Sequence, residues 1–108
     1  MNICILSGRI FKNATVRGSE PKALSFVVET INGYSGNEKK DLVSCVLFNP
    51  PPELENQLAK EGQGLYVELE GRVSSSSLKT NGEKRYNTDV IVRNRTFSIV
   101  NQHEPARA

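Results

Sequence analysis

The stretch that most restricts the fold is Gly62–Arg93, GQGLYVELEGRVSSSSLKTNGEKRYNTDVIVR. In Leu65–Val73, the residues Leu65, Val67, Leu69 and Gly71 fall on one side of an extended chain, and Tyr66, Glu68, Glu70 and Arg72 on the other. Successive side chains leave a strand in opposite directions, so this period of two marks a half-buried strand. Tyr86–Arg93 repeats it: Tyr86, Thr88, Val90 and Val92 alternate with Asn87, Asp89, Ile91 and Arg93. The hydrophilic link SSSSLKTNGEK is too long for a tight turn. Its Asn81-Gly82 tolerates positive φ, so a β-turn is expected there. The expected product is a long hairpin with a protruding tip carrying Lys79, Lys84 and Arg85. An arm with cations and little core of its own serves more readily as a contact surface than as a structural prop.

The rest of the chain must close against that hairpin. Asn2–Ile10 is expected as a strand with both faces covered, since Ile3 and Ile5 oppose Cys4 and Leu6; Gly8 is expected to mark a bulge or bend. Phe11–Pro21 is a polar connection. Lys22–Ile31 is a second strand, with Leu24, Phe26 and Val28 opposite Ser25, Val27 and Glu29. Asn32–Asp41 is a turn-rich loop that holds Tyr34, and Leu42–Phe48 is a short, central apolar strand. In NPPPELENQLAKEG the prolines end the sheet and open a helix of about two to three turns. Asn49 is expected to cap it, Glu53 and Glu55 to sit near its positive end, Leu54 and Leu58 to share a face, and Gly62 to end it. Arg95–Val100 continues the last strand.

Strand, strand, strand, helix, strand, strand is the layout of an all-β OB-fold, a five-stranded Greek-key barrel with one short helix between the third and fourth strands. The absence of βαβ spacing argues against a parallel sheet. One domain over residues 1–101 is expected, with a flexible tail over 102–108. A chain of 108 residues can bury enough surface for one core.

Composition excludes more than it selects. Net charge is only +2, so any basic surface must come from segregation of charge. No run approaches the ~18 apolar residues of a membrane span, and no secretory leader is read at the N-terminus. Cys4 and Cys45 lie in apolar runs and are expected as free thiols. With no CxxC and one histidine, His103, no metal site is expected, and no cofactor. The chain carries no HExxH, GxSxG, phosphate loop or dinucleotide fingerprint, so an enzyme is not expected.

Four stretches, ILSGRI, VLF, KEGQGLYVELEGRV and NGEKRYNTDVIV, occur in the order and near the spacing of the bacterial single-stranded DNA-binding protein family. The chain resembles that family over about residues 2–100. The resemblance implies an OB-fold, homo-oligomers (commonly tetramers) and sequence-tolerant binding of single strands. It implies work in replication, recombination or repair, in a bacterial cytoplasm or an organelle of bacterial origin. By the same resemblance Arg17 matches a basic residue of the first connection and Tyr34 an aromatic of the second loop. Phe48 matches a base-stacking ring, and Arg85 and Tyr86 the pair entering the last strand. Leu42 and Leu78 stand where the family has aromatics, and no tryptophan is present.

Binding single strands needs cations along a groove and flat faces for bases. The expected contacts are Arg9, Lys12, Arg17, Tyr34, Lys39, Lys40, Phe48, Arg72, Lys79, Lys84, Arg85 and Tyr86. Lys22 and Arg93 are further cations, whereas Glu53, Glu55 and Glu61 gather on the helix. Two missing aromatics predict binding weaker by roughly 2–6 kcal/mol, and more salt-sensitive, than in a tryptophan-bearing relative. The partner is then single-stranded DNA, with a second copy of the chain paired through the first strand. The alternative is a protein-interaction OB module, a replication accessory that has lost strong DNA binding.

Overall fold

A computed structural model describes residues 1–34 and 37–101, with the side chains at 32–34, 37–38, 78–80, 84–85 and 101 left out. Its elements are β1 (Cys4–Ile10), β2 (Thr15–Arg17), β3 (Ala23–Tyr34), β4 (Asn37–Phe48), α1 (Pro52–Glu61), β5 (Tyr66–Thr80), β6 (Glu83–Val92), a 3₁₀ turn (Asn94–Thr96) and β7 (Ser98–Asn101). The strands pair in the order β1-β3-β4-β6-β5, and β5 returns to β1, so the sheet closes on itself. Closure removes most of the sheet's edges. The β4–β6 pair is parallel and the others antiparallel.

Alternation decides what lies inside. Leu24, Phe26 and Val28 of β3, Val67 and Leu69 of β5, and Val90 and Val92 of β6 are buried in one core. Leu58 of α1 is fully buried and closes one end of the barrel, where its carbonyl accepts the Ala14 N–H at 2.9 Å. The helix ends are satisfied differently from the sequence expectation. Pro51 is the N-cap and offers no side-chain hydrogen bond. Asn49, with φ at 53°, instead turns the chain out of β4, its N–H donating to the Lys22 carbonyl at 2.8 Å. A short polar side chain tolerates that left-handed conformation. At the other end Asn13 acts as the cap: its amide donates to Lys60 O at 3.2 Å and its oxygen accepts from Gln63 N–H at 2.9 Å.

Five further expectations need correction. The polar segment read as a loop over 32–41 is strand in its described residues; β3 and β4 run on as a two-stranded ribbon to Tyr34 and Asn37. The link between β5 and β6 is likewise paired, down to Thr80 opposite Glu83 around Asn81 and Gly82, both with positive φ. A ribbon satisfies its backbone by cross-strand hydrogen bonds, so polar side chains do not end it. The outer face of β1 is open rather than covered: Ile3 is 56% and Ile5 78% exposed. Gly8 makes no bulge, because its register with Val67 is unbroken. Phe11–Pro21, read as a connection, holds the short β2 against β3. The tail expected over 102–108 lies outside the described residues.

β5 pairs with β6 from Gly71 onward and with β7 at Tyr66–Glu68, so Glu70 falls between partners. There the Arg93 N–H donates to the Glu70 carbonyl at 2.8 Å. The Thr96 hydroxyl accepts the Glu70 N–H at 2.9 Å and donates to the carbonyl of Arg93 at 2.7 Å or Glu70 at 3.0 Å. Thr96→Val keeps the shape and leaves that N–H without an acceptor. The expected loss is about 1–2 kcal/mol, read as a lower urea midpoint at unchanged m value.

Cys4 and Cys45 are free thiols, Cys45 fully buried. Burial first, then the neighbouring Cys4 and Asp89, push the Cys45 thiol from its ordinary 9.0 up to about 12. The unfolded chain releases that proton near 9 and the folded chain only near 12. The neutral thiol's contribution is therefore complete below about pH 9 and lost as pH rises toward about 12. Cys45→Val is expected to flatten the alkaline fall of the urea midpoint, measured between about pH 8 and about pH 11.

Candidate nucleic-acid interface

The outer face of β3 and β4 is built of cross-strand rows that the registers set out directly. Arg17 is opposite Ala23, and Ala23 opposite Phe48. The parallel register, Cys45 opposite Val90 and Val46 opposite Ile91, continues to place Phe48 level with Arg93 and Ser44 level with Asp89. The Asn94 amide, donating to the Phe48 carbonyl at 2.9 Å, holds this end together. One row is thus Arg17–Ala23–Phe48–Arg93, and the next is Thr15–Ser25–Val46–Ile91. In the third row the Phe11 N–H donates to Val27 O at 2.8 Å, and Val27 is opposite Ser44, which is level with Asp89.

The floor of this face is made of small side chains, so it is a trough. Two depressions, of about 330 and 280 Å³, adjoin across Arg17, Ser25 and Ser44. Lys12 and Phe11 stand on the rim of the smaller one, with the ammonium 5.7 Å from the centre of the ring. The Phe48 ring is 39% exposed and Phe11 40%, enough for each to be reached by a flat ligand. At the far end of β4 the Lys40 ammonium is 4.0 Å from the Glu29 carboxylate, which offsets the floor's acid. Arg93 meets Glu70 at 3.7 Å in an exposed, weak pair.

Of the expected contact residues, this face carries Lys12, Arg17 and Phe48, with Lys40 farther along β4 opposite Ile31 and Arg72 at its margin beside Arg93. Arg9 lies on the same side, opposite Glu29, and lines a larger depression of about 640 Å³ with Glu29, Ile31 and Lys40; its guanidinium also donates to the Gly64 carbonyl at 3.0 Å and lies 5.7 Å from the centre of the Tyr66 ring. Lys39 leaves the ribbon on the side opposite Lys40, and Tyr86, 65% exposed, leaves β6 opposite Asn87 and Asp89. The side chains of Tyr34, Lys79, Lys84 and Arg85 lie outside the described residues. Sequence reasoning missed Phe11. Its signal was the parity of Arg9 and Phe11, both outward when Ile10 is core. It also left Arg93 among the general cations, because only the parallel β4–β6 register sets it beside Phe48.

Among the described residues, no cluster of three His, Cys, Asp or Glu could hold a metal ion, and no helix is long and apolar enough to cross a membrane. The arrangement is a cationic, partly aromatic trough. Residues 1–98 match the profile of the single-strand binding protein family. No curated protein sequence matches the chain. Its fold is similar to a Plasmodium falciparum SSB in complex with ssDNA, with a TM-score of 0.75 at 17% identity over 93% of each chain. It is similar also to Rim1, a mitochondrial single-stranded DNA binding protein from S. cerevisiae, with a TM-score of 0.67 at 15% identity over 91% of this chain and 93% of that one.

Proposed function

The chain belongs to the single-strand binding protein family and binds single-stranded DNA, and we propose that the strand lies across the outer face of β3 and β4, with broad tolerance of sequence. The observation that carries this reading is the row Arg17–Ala23–Phe48–Arg93, which sets an exposed ring between two cations on a floor of small side chains. Arginines at the ends attract phosphates, and each neutralised phosphate releases condensed counterions. The ring between them takes the face of a base, which every nucleotide has, so the contact is tolerant of sequence. A duplex keeps its bases stacked on one another and cannot offer that face. The family's typical work is in replication and repair. For this chain we place that work in a bacterial cytoplasm or an organelle of bacterial origin.

Titration of the purified chain with labelled oligo(dT) and with a duplex of the same length, at several salt concentrations, tests the reading. Single strands are expected to bind more tightly. The slope of log K against log salt is expected to be roughly −2 to −3, from three or four phosphate contacts. Salt-independent binding, or equal affinity for the duplex, would remove the trough as the site. No binding at all, with co-elution with another single-strand binding protein, would favour an interaction module instead.

We further propose that copies of the chain associate through β1. Residues Cys4–Gly8 pair with β5 on one side, and β3 joins β1 only at Arg9 and Ile10, which leaves the other edge of Cys4–Gly8 open. An open edge flanked by Ile5 and Ile31 invites a second strand. Sedimentation of the wild type is expected to show an oligomer that Ile5→Glu converts to a monomer.

A further inference from the structure

The third cross-strand row carries an aromatic ring at one rim of the trough and a carboxylate at the other. Phe11 starts it, Val27 and Ser44 form the floor, and Asp89 ends it. Asp89 is half-buried and has no hydrogen-bond or ion-pair partner among the described residues. It lines the same 330 Å³ depression as Arg17, which has no such partner either. At this row, away from Arg93, the trough is therefore charged asymmetrically: cations Lys12 and Arg17 on the side of Phe11, a carboxylate on the side of β6.

On the premise that the strand lies in this trough, we propose that the row is a nucleobase subsite that favours bases with an exocyclic amino group. A phosphate facing Asp89 is repelled, so the backbone keeps to the rim of Lys12 and Arg17. A base stacked on Phe11 then points its edge across Val27 and Ser44. Three inter-strand steps of about 4.8 Å make the row roughly 14 Å wide, which two side chains and one base can span. An ionised carboxylate only accepts hydrogen bonds. The amino group of cytosine, adenine or guanine donates to it, whereas the O4 of thymine, in the place of the cytosine amino group, sets a second acceptor against it. Binding stays tolerant of sequence overall, with a bias at one position. Phe11, 40% exposed, also supplies a second stacking face beside Phe48.

Anisotropy titrations with oligo(dC) and oligo(dT) of equal length, at two salt concentrations, test this with the wild type, Phe11→Ala and Asp89→Ala. The wild type is expected to bind oligo(dC) several-fold more tightly than oligo(dT). Asp89→Ala is expected to bring the two affinities together. Phe11→Ala is expected to weaken both by roughly fivefold or more while leaving the salt slope unchanged. Wild-type affinity for oligo(dT) equal to or above that for oligo(dC) overturns the base preference without needing any variant. An equal change on both oligonucleotides in Asp89→Ala does the same, and an unchanged Phe11→Ala overturns the stacking role. If the folded wild type binds neither oligonucleotide, the reading of the trough itself fails, which is a different result from binding without preference.

Discussion

Gly8→Ala is expected to destabilise the barrel by on the order of 3 kcal/mol or more, enough to leave much of the chain unfolded at ordinary temperature. A Cβ added at Gly8 would sit 2.3 Å from the Glu29 carbonyl oxygen and 2.9 Å from a Val28 methyl carbon. The first of these is backbone, held in the β3–β4 ladder, and it cannot swing aside as the end of a long side chain could. Gly8 is also where β1, paired with β5 up to Arg9, begins to meet β3 at Arg9 and Ile10. The clash therefore falls on the seam that closes the sheet. Thermal unfolding checks it, since each kcal/mol lost shifts the midpoint of a domain this size by roughly 4–8 °C. Ser7→Ala, at an exposed neighbour on the same strand, is the control and is expected to change little. A Gly8→Ala melting curve like the control's would mean that β1 can move away from β3, and that closure is looser than the register implies.

Phe48→Ala is expected to weaken single-strand binding roughly 5- to 150-fold, the 1–3 kcal/mol of one stacked base. The change should appear at every salt concentration with the same slope, because a phenyl ring displaces no counterions. Arg17→Ala, at the end of the same row, is expected to act on the other term. It should reduce the salt slope by about 0.7, the release from one phosphate on a single strand, and weaken binding most at low salt. The two variants thus separate stacking from charge within 23–48 and 17–23 pairings that the structure places side by side. The Asn94 amide and the pairing with Ala23 hold the Phe48 backbone in place. If Phe48→Ala changes the slope and not the affinity, the ring is covering the floor of the trough instead of stacking.

Alternation in a single chain reports which residues share a side of a strand, and that much was legible. Leu24, Phe26 and Val28, Val67 and Leu69, and Val90 and Val92 could be read as core because burial on one face leaves a period of two. The turn at Asn81-Gly82 could be read because few residue pairs accept positive φ twice in succession. The helix could be read from its prolines and from Leu54 and Leu58, though Asn13, forty-seven residues from Lys60, turned out to be its effective cap. Strand lengths were misjudged where side chains were polar, in 32–41 and 74–85, since a ribbon held by backbone hydrogen bonds leaves no hydrophobic signature.

The amino-acid sequence by itself settled the order of the main strands, the place of the helix and much of the core, because each depends on neighbours a few residues apart. Only the tertiary structure decided which outward residues meet. Arg17, Phe48 and Arg93 come from three distant segments and stand in one row through two pairings whose register no local pattern contains. The same holds for Phe11 and Asp89, and for Arg9 and Lys40, which line one depression from two distant segments. A strand's own residues choose its inner side; the offset between strands, fixed by closing the whole sheet, chooses the company kept on the outer one.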